Sequence, residues 1–421
     1  MKGRDGALKK IYAGIDIGTD SVKIIVLEKI KGEFHLLASS KVKSRGIKRS
    51  EVVDARELSN SVKMAVDEIE GKLDIKLKKI VACVSTKNCI FNIVSGKRDV
   101  IDPNCITGED ISEVFRDAIM GQVNQDYELV TAMPITFKID GNLNVKDPKG
   151  RCGKVLETKL VITETPKEQL YKFLAVLDLC GLEVVDIAFG TTGDYFAVRN
   201  DSLDNQVGAI INIGEDTTNV SVYNKGIMIK NSVINVGSYY VDHDLSYIYN
   251  ISMEDARALK ENFVIAASRY ADANDKIELK TTGGTKYNVT QLDVSKVVEA
   301  RIEEILKVSK KEIKNLTNRK ISYIIVVGGL SEIAGFSYVL DSVFGNLAYV
   351  YNNNKIGIRN NSYTSVFGLL KYFDNKLTLR DTECNMFELE DLKKIITVKS
   401  RNDSVLNRML GSFLQNKEDK V

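Results

Sequence analysis

Ala13-Gly14-Ile15-Asp16-Ile17-Gly18-Thr19-Asp20-Ser21-Val22-Lys23, continued by Ile24-Ile25-Val26-Leu27, is the stretch from which the fold of this chain is read. β-Branched residues flank a Gly-Thr-Asp turn on both sides, the pattern of two strands joined by a tight hairpin. The backbone N–H groups of such a turn can cradle phosphate oxygens, and small residues let the anion approach. Asp16, ending the first strand, is placed to hold a metal ion through water, and Lys23 to set a positive charge against a β- or γ-phosphate. Taken alone, the pattern fits an ordinary hairpin with a polar turn equally well.

The pattern returns at Gly208-Ala-Ile-Ile-Asn212-Ile213-Gly214-Glu215-Asp216-Thr217-Thr218-Asn219-Val220, again a buried strand, a Gly/Thr turn and a second strand. Two such hairpins in one chain point to related halves that clamp a nucleotide between them, one turn from each.

With 421 residues, 44% hydrophobic and 28% charged, the chain is long enough for two or more domains with their own cores. A formal net charge of +2 offers no bulk electrostatic case for nucleic acid. The six cysteines form no C-x-x-C pair and read as reduced thiols of a cytosolic protein, and two histidines leave little for histidine-based metal or catalytic sites. The charged N-terminus runs straight into a strand and lacks a signal-peptide pattern.

Along the chain, Glu33 to Val42 reads as a third strand, Asp54 to Leu73 as an amphipathic helix and Lys79 to Ser85 as a further strand. Residues 87–164 read as an inserted small α/β unit, with a helix at Gly108 to Gln122, strands at Cys89 to Val94, Glu128 to Ile139 and Leu156 to Thr163, and a turn region over Asp140 to Gly153. A helix is expected from Pro166 to Leu179, with Pro166 at its first position, then a strand at Glu183 to Phe189 and a helix from Gly193 to Arg199. In the second half, helices are expected at Tyr239 to Asn250, after the Ser252 cap, and over Leu292 to Leu316, with a hairpin around Gly283-Gly284 between the last two. Ile321 to Phe336 reads as a buried strand, a Gly328-Gly329 turn and a helix start.

Three motifs then stand in order: Asp16-Ile-Gly18-Thr19-Asp-Ser21-Val-Lys23, Asn212-Ile-Gly214-Glu-Asp216-Thr217-Thr218, and Val326-Val-Gly328-Gly329-Leu330-Ser-Glu-Ile-Ala-Gly335. Together they resemble the two phosphate motifs and the adenosine motif of the actin-like ATPase superfamily. Ser44-Arg-Gly-Ile47 before the Asp54 helix, the insert, and Leu179-Cys-Gly-Leu-Glu-Val184 are similar to the FtsA family of bacterial cell-division proteins. That resemblance covers nearly the whole chain.

It implies an α/β, actin-like two-lobed fold built on duplicated ribonuclease-H-like cores. By position, residues 1–86 and 165–205 form the first lobe with 360–375 packing back on it, and 87–164 the insert. Residues 206–359 form the second lobe, whose small subdomain lies at about 240–320; 376–403 is a linker and 404–416 a C-terminal amphipathic helix. ATP with Mg2+ would meet Asp16, Gly18, Thr19, Ser21 and Lys23 from one lobe. Asn212, Gly214, Asp216, Thr217, Thr218, Gly237, Gly328, Gly329 and Leu330 would meet it from the other, with Asp16 toward the metal. Further implications are filaments of the chain itself, a peripheral place on the cytoplasmic face of the membrane at the division septum, binding of the FtsZ C-terminal tail through Arg301 and Glu304, and recruitment of later division proteins.

Departures bear on chemistry. Asn212 and Asn219 stand where the family-like Asp-Ile-Gly-Gly-Gly-Thr-Thr-Asp has carboxylates, and an amide cannot take a proton from attacking water. Glu215 or Asp216 within ~4 Å of a phosphate would repel it by about 4 kcal/mol at an effective dielectric of about 20. ATP binding with weak or absent hydrolysis follows as the expectation. At the C-terminus, Val405, Leu406, Met409, Leu410, Phe413 and Leu414 share one helical face, as in an interfacial membrane helix. Two rival readings remain: an actin-like-fold small-molecule kinase, and a pilus- or secretion-type actin-like assembly protein.

Overall fold

The computed structural model of the chain describes residues 10–388 and residue 391. Strands β1 (Lys10–Ile17), β2 (Ser21–Ile30) and β3 (Glu33–Lys43) form an antiparallel meander, in register from Lys10 opposite Lys29 to Ile17 opposite Val22. The apolar residues of β1, and of β2 up to Leu27, are buried on both faces, which is why that run reads as continuously apolar rather than alternating, whereas β3 is exposed on one face. After a two-residue pair, β4 (Ile47–Lys48) and β5 (Glu51–Val52), helix α1 (Ala55–Leu73) covers the sheet. The Asp54 carboxylate caps it by accepting from the Arg56 and Glu57 amides, and Leu58, Val62, Ala65, Val66, Ile69 and Leu73 face inward at helical spacing. Strand β6 (Lys79–Val84) then runs parallel to β1.

The insert follows: β7 (Ile90–Asp99), α2 (Gly108–Ile119), β8 (Tyr127–Ile139), β9 (Leu143–Val145) and β10 (Val155–Pro166), in the sheet order β7-β10-β8-β9. It has its own core around Val114, Phe115, Phe137, Leu160 and Ile162. Strand β9 lies inside the stretch expected to be only a turn; it pairs with β8 from Phe137 opposite Val145 to Ile139 opposite Leu143. Pro166 ends β10 opposite Tyr127 instead of opening a helix, and α3 (Lys167–Leu179) starts one residue later. An extended proline at a sheet end needs no N–H for the ladder, so pairing and proline agree there.

Strand β11 (Glu183–Phe189) adds to β6 in parallel, completing the order β11-β6-β1-β2-β3, and the buried helix α4 (Gly190–Val198) follows it. The second half repeats this plan: β12 (Val207–Ile213), β13 (Thr218–Asn224) and β14 (Ile227–Ile234) form the meander. Helices α5 (Ser238–Tyr249) and α6 (Met253–Asn262), the hairpin β15 (Lys276–Lys280) and β16 (Lys286–Thr290), and α7 (Gln291–Leu316) come next. Strand β17 (Tyr323–Val327) runs parallel to β12, α8 (Phe336–Phe344) follows, and β18 (Ala348–Val350) runs parallel to β17. The order β14-β13-β12-β17-β18 matches that of the first sheet, position for position.

Each outer strand leads into a buried helix, α4 after β11 and α9 (Thr364–Leu379) after β18, and these two pack on each other between the sheets. Helix α9 lies against β1, β2 and β6 of the first half. It runs four residues beyond 375, and Met386 and Phe387 are buried in the first core, so the start of the stretch whose polarity marks it as a linker from 376 packs on the first half. Among the described residues no helix is long and apolar enough to cross a membrane. The stretch 404–416, with Val405, Leu406, Met409, Leu410, Phe413 and Leu414, lies outside the described residues.

Candidate functional site

The β1–β2 and β12–β13 turns are closed by the same bond: Gly18 N–H donates to the Ser21 carbonyl at 3.0 Å, and Gly214 N–H to the Thr217 carbonyl at 2.9 Å. Both turns face one cavity of about 720 Å³, lined by Asp16, Gly18, Thr19, Ser21 and Lys23 from the first half and by Asn212, Gly214, Thr217, Gly328, Gly329 and Leu330 from the second. Gly328 has φ of +97°, and a Cβ there would run into the Ile213 carbonyl, so the turn after β17 can lie against β12 only with glycine. Three motifs far apart in the chain therefore meet at one opening.

Three expected residues do not line the cavity. Thr218 is fully buried and its hydroxyl donates to the Val236 carbonyl at 2.7 Å. Gly237 precedes α5, whose Ser238 and Tyr239 amides bond the Gly214 and Glu215 carbonyls at 2.9 Å, so it shapes the turn from below. Asp216 faces the other lobe, accepting from the Arg49 amide at 3.0 Å.

Lys23 is buried and its ammonium donates to Asp16 Oδ2 at 2.9 Å, so its charge is already compensated by the carboxylate expected to face a metal. Burial would depress the Lys23 pKa, but the Asp16 and Asp20 carboxylates outweigh it and hold the ammonium above its ordinary value. Among the described residues no group of three or more His, Cys, Asp or Glu is arranged to hold a metal ion. A Mg2+ ion keeps several waters and takes phosphate oxygens, so a single carboxylate such as Asp16 beside this opening fits that donor set.

Sequence reading missed the groups that surround these motifs. Asp194 on α4 is fully buried; its carboxylate accepts from Asn212 Nδ2 at 2.8 Å and from Ser365 Oγ at 2.6 Å. Burial pushes its pKa up to about 7, against the pull of those two donors. A lone carboxylate in the apolar run Asp194-Tyr-Phe-Ala-Val198 was the available signal. On α6, Arg257 bonds Asp20 Oδ1 at 2.7 Å and Glu215, and Lys260 bonds Asp242 Oδ1 at 2.6 Å; their spacing of three on one helix face was legible but unread. Glu215 is thus paired with a guanidinium, and the repulsion expected of an uncompensated carboxylate at this turn is corrected accordingly. Asn219 accepts from Thr86 Oγ1 at 2.9 Å, a further direct bond between the halves.

On α7, Arg301 bonds both oxygens of Asp244 at 2.6 and 3.0 Å and Glu304 at 2.5 Å, so its guanidinium is largely occupied within the subdomain. Lys276 and Lys280 on the neighbouring hairpin are exposed, and Lys286 pairs with Glu278 at 2.7 Å.

Two sheets of identical strand order, with matched turns across a common cleft, define a protein of the actin-like two-lobed fold. Solved structures agree on that fold: a chain of the PilM–PilN type IV pilus biogenesis complex aligns with a TM-score of 0.57 at 12% identity, covering 85% of this chain and 97% of that one. MreB5 of Spiroplasma citri bound to AMPPNP aligns at 0.54 and 12%, over 88% and 98% respectively. Residues 209–368 match the family model described as cell division protein FtsA, and residues 90–163 the one described as the SHS2 domain inserted in FtsA, together more than half of the chain. The FtsA cell-division proteins of Streptococcus pneumoniae serotype 2 and Bacillus subtilis strain 168 are each 26% identical to it, over 87% and 86% of this chain and 80% and 83% of theirs. That of Escherichia coli strain K12 is 23% identical, over 80% of this chain and 82% of its own. The chain belongs to the FtsA family.

Proposed function

We propose that this chain binds ATP with Mg2+ between its two lobes, assembles into actin-like filaments on the cytoplasmic face of the membrane at the septum, and tethers the FtsZ ring there while recruiting later division proteins. The observation that supports nucleotide binding is the pair of identically closed turns, Gly18–Ser21 and Gly214–Thr217, at a single cavity. Their amides and the Ser21 and Thr217 side chains supply donors to phosphate oxygens, while Gly328 and Gly329 let the nucleoside end approach backbone. Mg2+, held through water by Asp16, would screen the phosphate charge.

Hydrolysis is slow in this reading. Asn212 cannot act as a base, and both oxygens of its neighbour Asp194 are already engaged as acceptors. ATP then serves as a structural switch for assembly; single-turnover hydrolysis faster than about 1 s⁻¹ would overturn that role.

The 404–416 segment supplies the membrane contact, weak for one copy and strengthened by assembly. Arg301 and Glu304, with the exposed Lys276 and Lys280, form the surface for the acidic FtsZ tail. Vesicle pelleting with an FtsZ tail peptide, with and without ATP, tests the scheme: tail peptide in the pellet only when protein and ATP are both present supports it, and pelleting indifferent to ATP overturns the switch.

A further inference from the structure

Arg257 joins parts of the cleft wall that come from opposite halves of the chain. Its Nη1 donates to Asp20 Oδ1 at 2.7 Å on the first turn, its Nη2 to Glu215 on the second, and its Nε to Asp242 Oδ2 at 3.3 Å on α5. Lys260, three residues on, holds the other Asp242 oxygen at 2.6 Å and donates to Ser238 Oγ at 2.7 Å. Lys41 stands 4.0 Å from the second Asp20 oxygen, so Asp20 and Asp242 each have a further cation while Glu215 has Arg257 as its ion-pair partner; burial pushes the Glu215 carboxyl up to about 7 despite that arginine. Asp242 is fully buried and anchored by Lys260, whereas Arg257 is part-exposed and lines the cavity.

We propose that Arg257 is a polyphosphate clasp: pivoting on Asp242, its guanidinium passes from Asp20 and Glu215 to the terminal phosphate of a nucleoside triphosphate. This rests on the nucleotide reading above. A planar five-donor fork accepts phosphate as readily as carboxylate, and a terminal phosphate offers more charge and more acceptors than either side chain it leaves. Because the same side chain bonds both turns, the number of phosphates present is transmitted to the contact between the lobes.

Calorimetric titration of the full chain with ATP, ADP and AMP in Mg2+ tests this. Arg257→Ala should weaken ATP about tenfold or more, the scale of a lost charge-assisted bond, while AMP changes less than twofold. Arg257→Lys should recover only part of the loss, since an ammonium cannot span two turns, and Glu215→Gln should tighten ATP by removing the competing carboxylate. Equal losses for ATP and AMP, or no loss in a variant that still melts cooperatively, would overturn the clasp. Should Arg257→Ala not fold, Glu215→Gln decides: tighter ATP supports the proposal, unchanged or weaker ATP sinks it. A wild-type chain that binds none of the three nucleotides removes the nucleotide reading itself, and the clasp with it.

Discussion

Asn212 and Asp194 lie 2.8 Å apart, an amide on the second turn facing a carboxylate that arrives from α4 of the other half. The amide was plain in the sequence as a departure from the family-like motif; its carboxylate partner was not, because nothing local in Gly193-Asp194-Tyr195 says which turn the helix will abut. The pairing has a pH signature. The folded-state pKa of Asp194, about 7, lies well above the ordinary carboxylate range, so folding favours the protonated form. Stability is therefore greatest below the unfolded pKa and falls as pH rises through the folded one, over roughly pH 4 to 7. Urea melts at pH 5 and 7.5 should show a smaller loss on raising pH for Asp194→Asn, which cannot ionise, than for the wild type. An unchanged loss would place the pH dependence elsewhere, with Glu215, shifted in the same direction, as the next group to substitute.

Elements show where local pattern suffices and where it fails. Helix α1 was readable end to end, since its cap, its apolar stripe and its last turn all sit in Asp54 to Leu73; Asp54→Ala should cost about 1 kcal/mol by thermal melting. Helix α4 begins three residues before the expected Gly193, because Thr191 and Thr192, poor helix formers, are buried and packing overrides propensity. The meeting of α4 with α9 depends on glycines whose purpose no window of sequence reveals. A Cβ on Gly368 would overlap the Gly193 carbonyl oxygen, and one on Gly193 would overlap that of Ser365. Gly368→Ala should cost about 3 kcal/mol in urea melts, since backbone must move to admit the methyl group; a change under about 0.5 kcal/mol would show the crossing to be soft. The end of α9 beyond 375 reads as linker because Asp374 and Lys376 look like solvated polarity. In the structure Asp374 is buried, accepting from Tyr12 at 3.3 Å and Lys29 at 2.6 Å, and Lys376 bonds Asp186 at 2.7 Å.

At the scale of the molecule, two like sheets, the insert and the cleft form one architecture, and removal of residues outside it is informative. Deleting 404–421 should abolish vesicle pelleting and leave ATP affinity unchanged, because among the described residues those that line the cavity all precede 366. Pelleting that survives the deletion would remove the amphipathic segment from the tethering scheme. Arg301→Glu tests the other end: about tenfold weaker binding of the tail peptide in anisotropy titrations is expected if that face reads acidic residues.

The amino-acid pattern alone determined the duplicated hairpins, the insert and the three turns, since strand alternation, helical spacing and Gly/Thr turns are encoded within a few residues of where they act. Only the tertiary structure decided which charges those turns meet. Asp20, Glu215 and Asp242 are compensated by Arg257 and Lys260 from another element, and Asn212 by Asp194 and Ser365 from two more, contacts that span up to 237 positions and follow from how the halves pack.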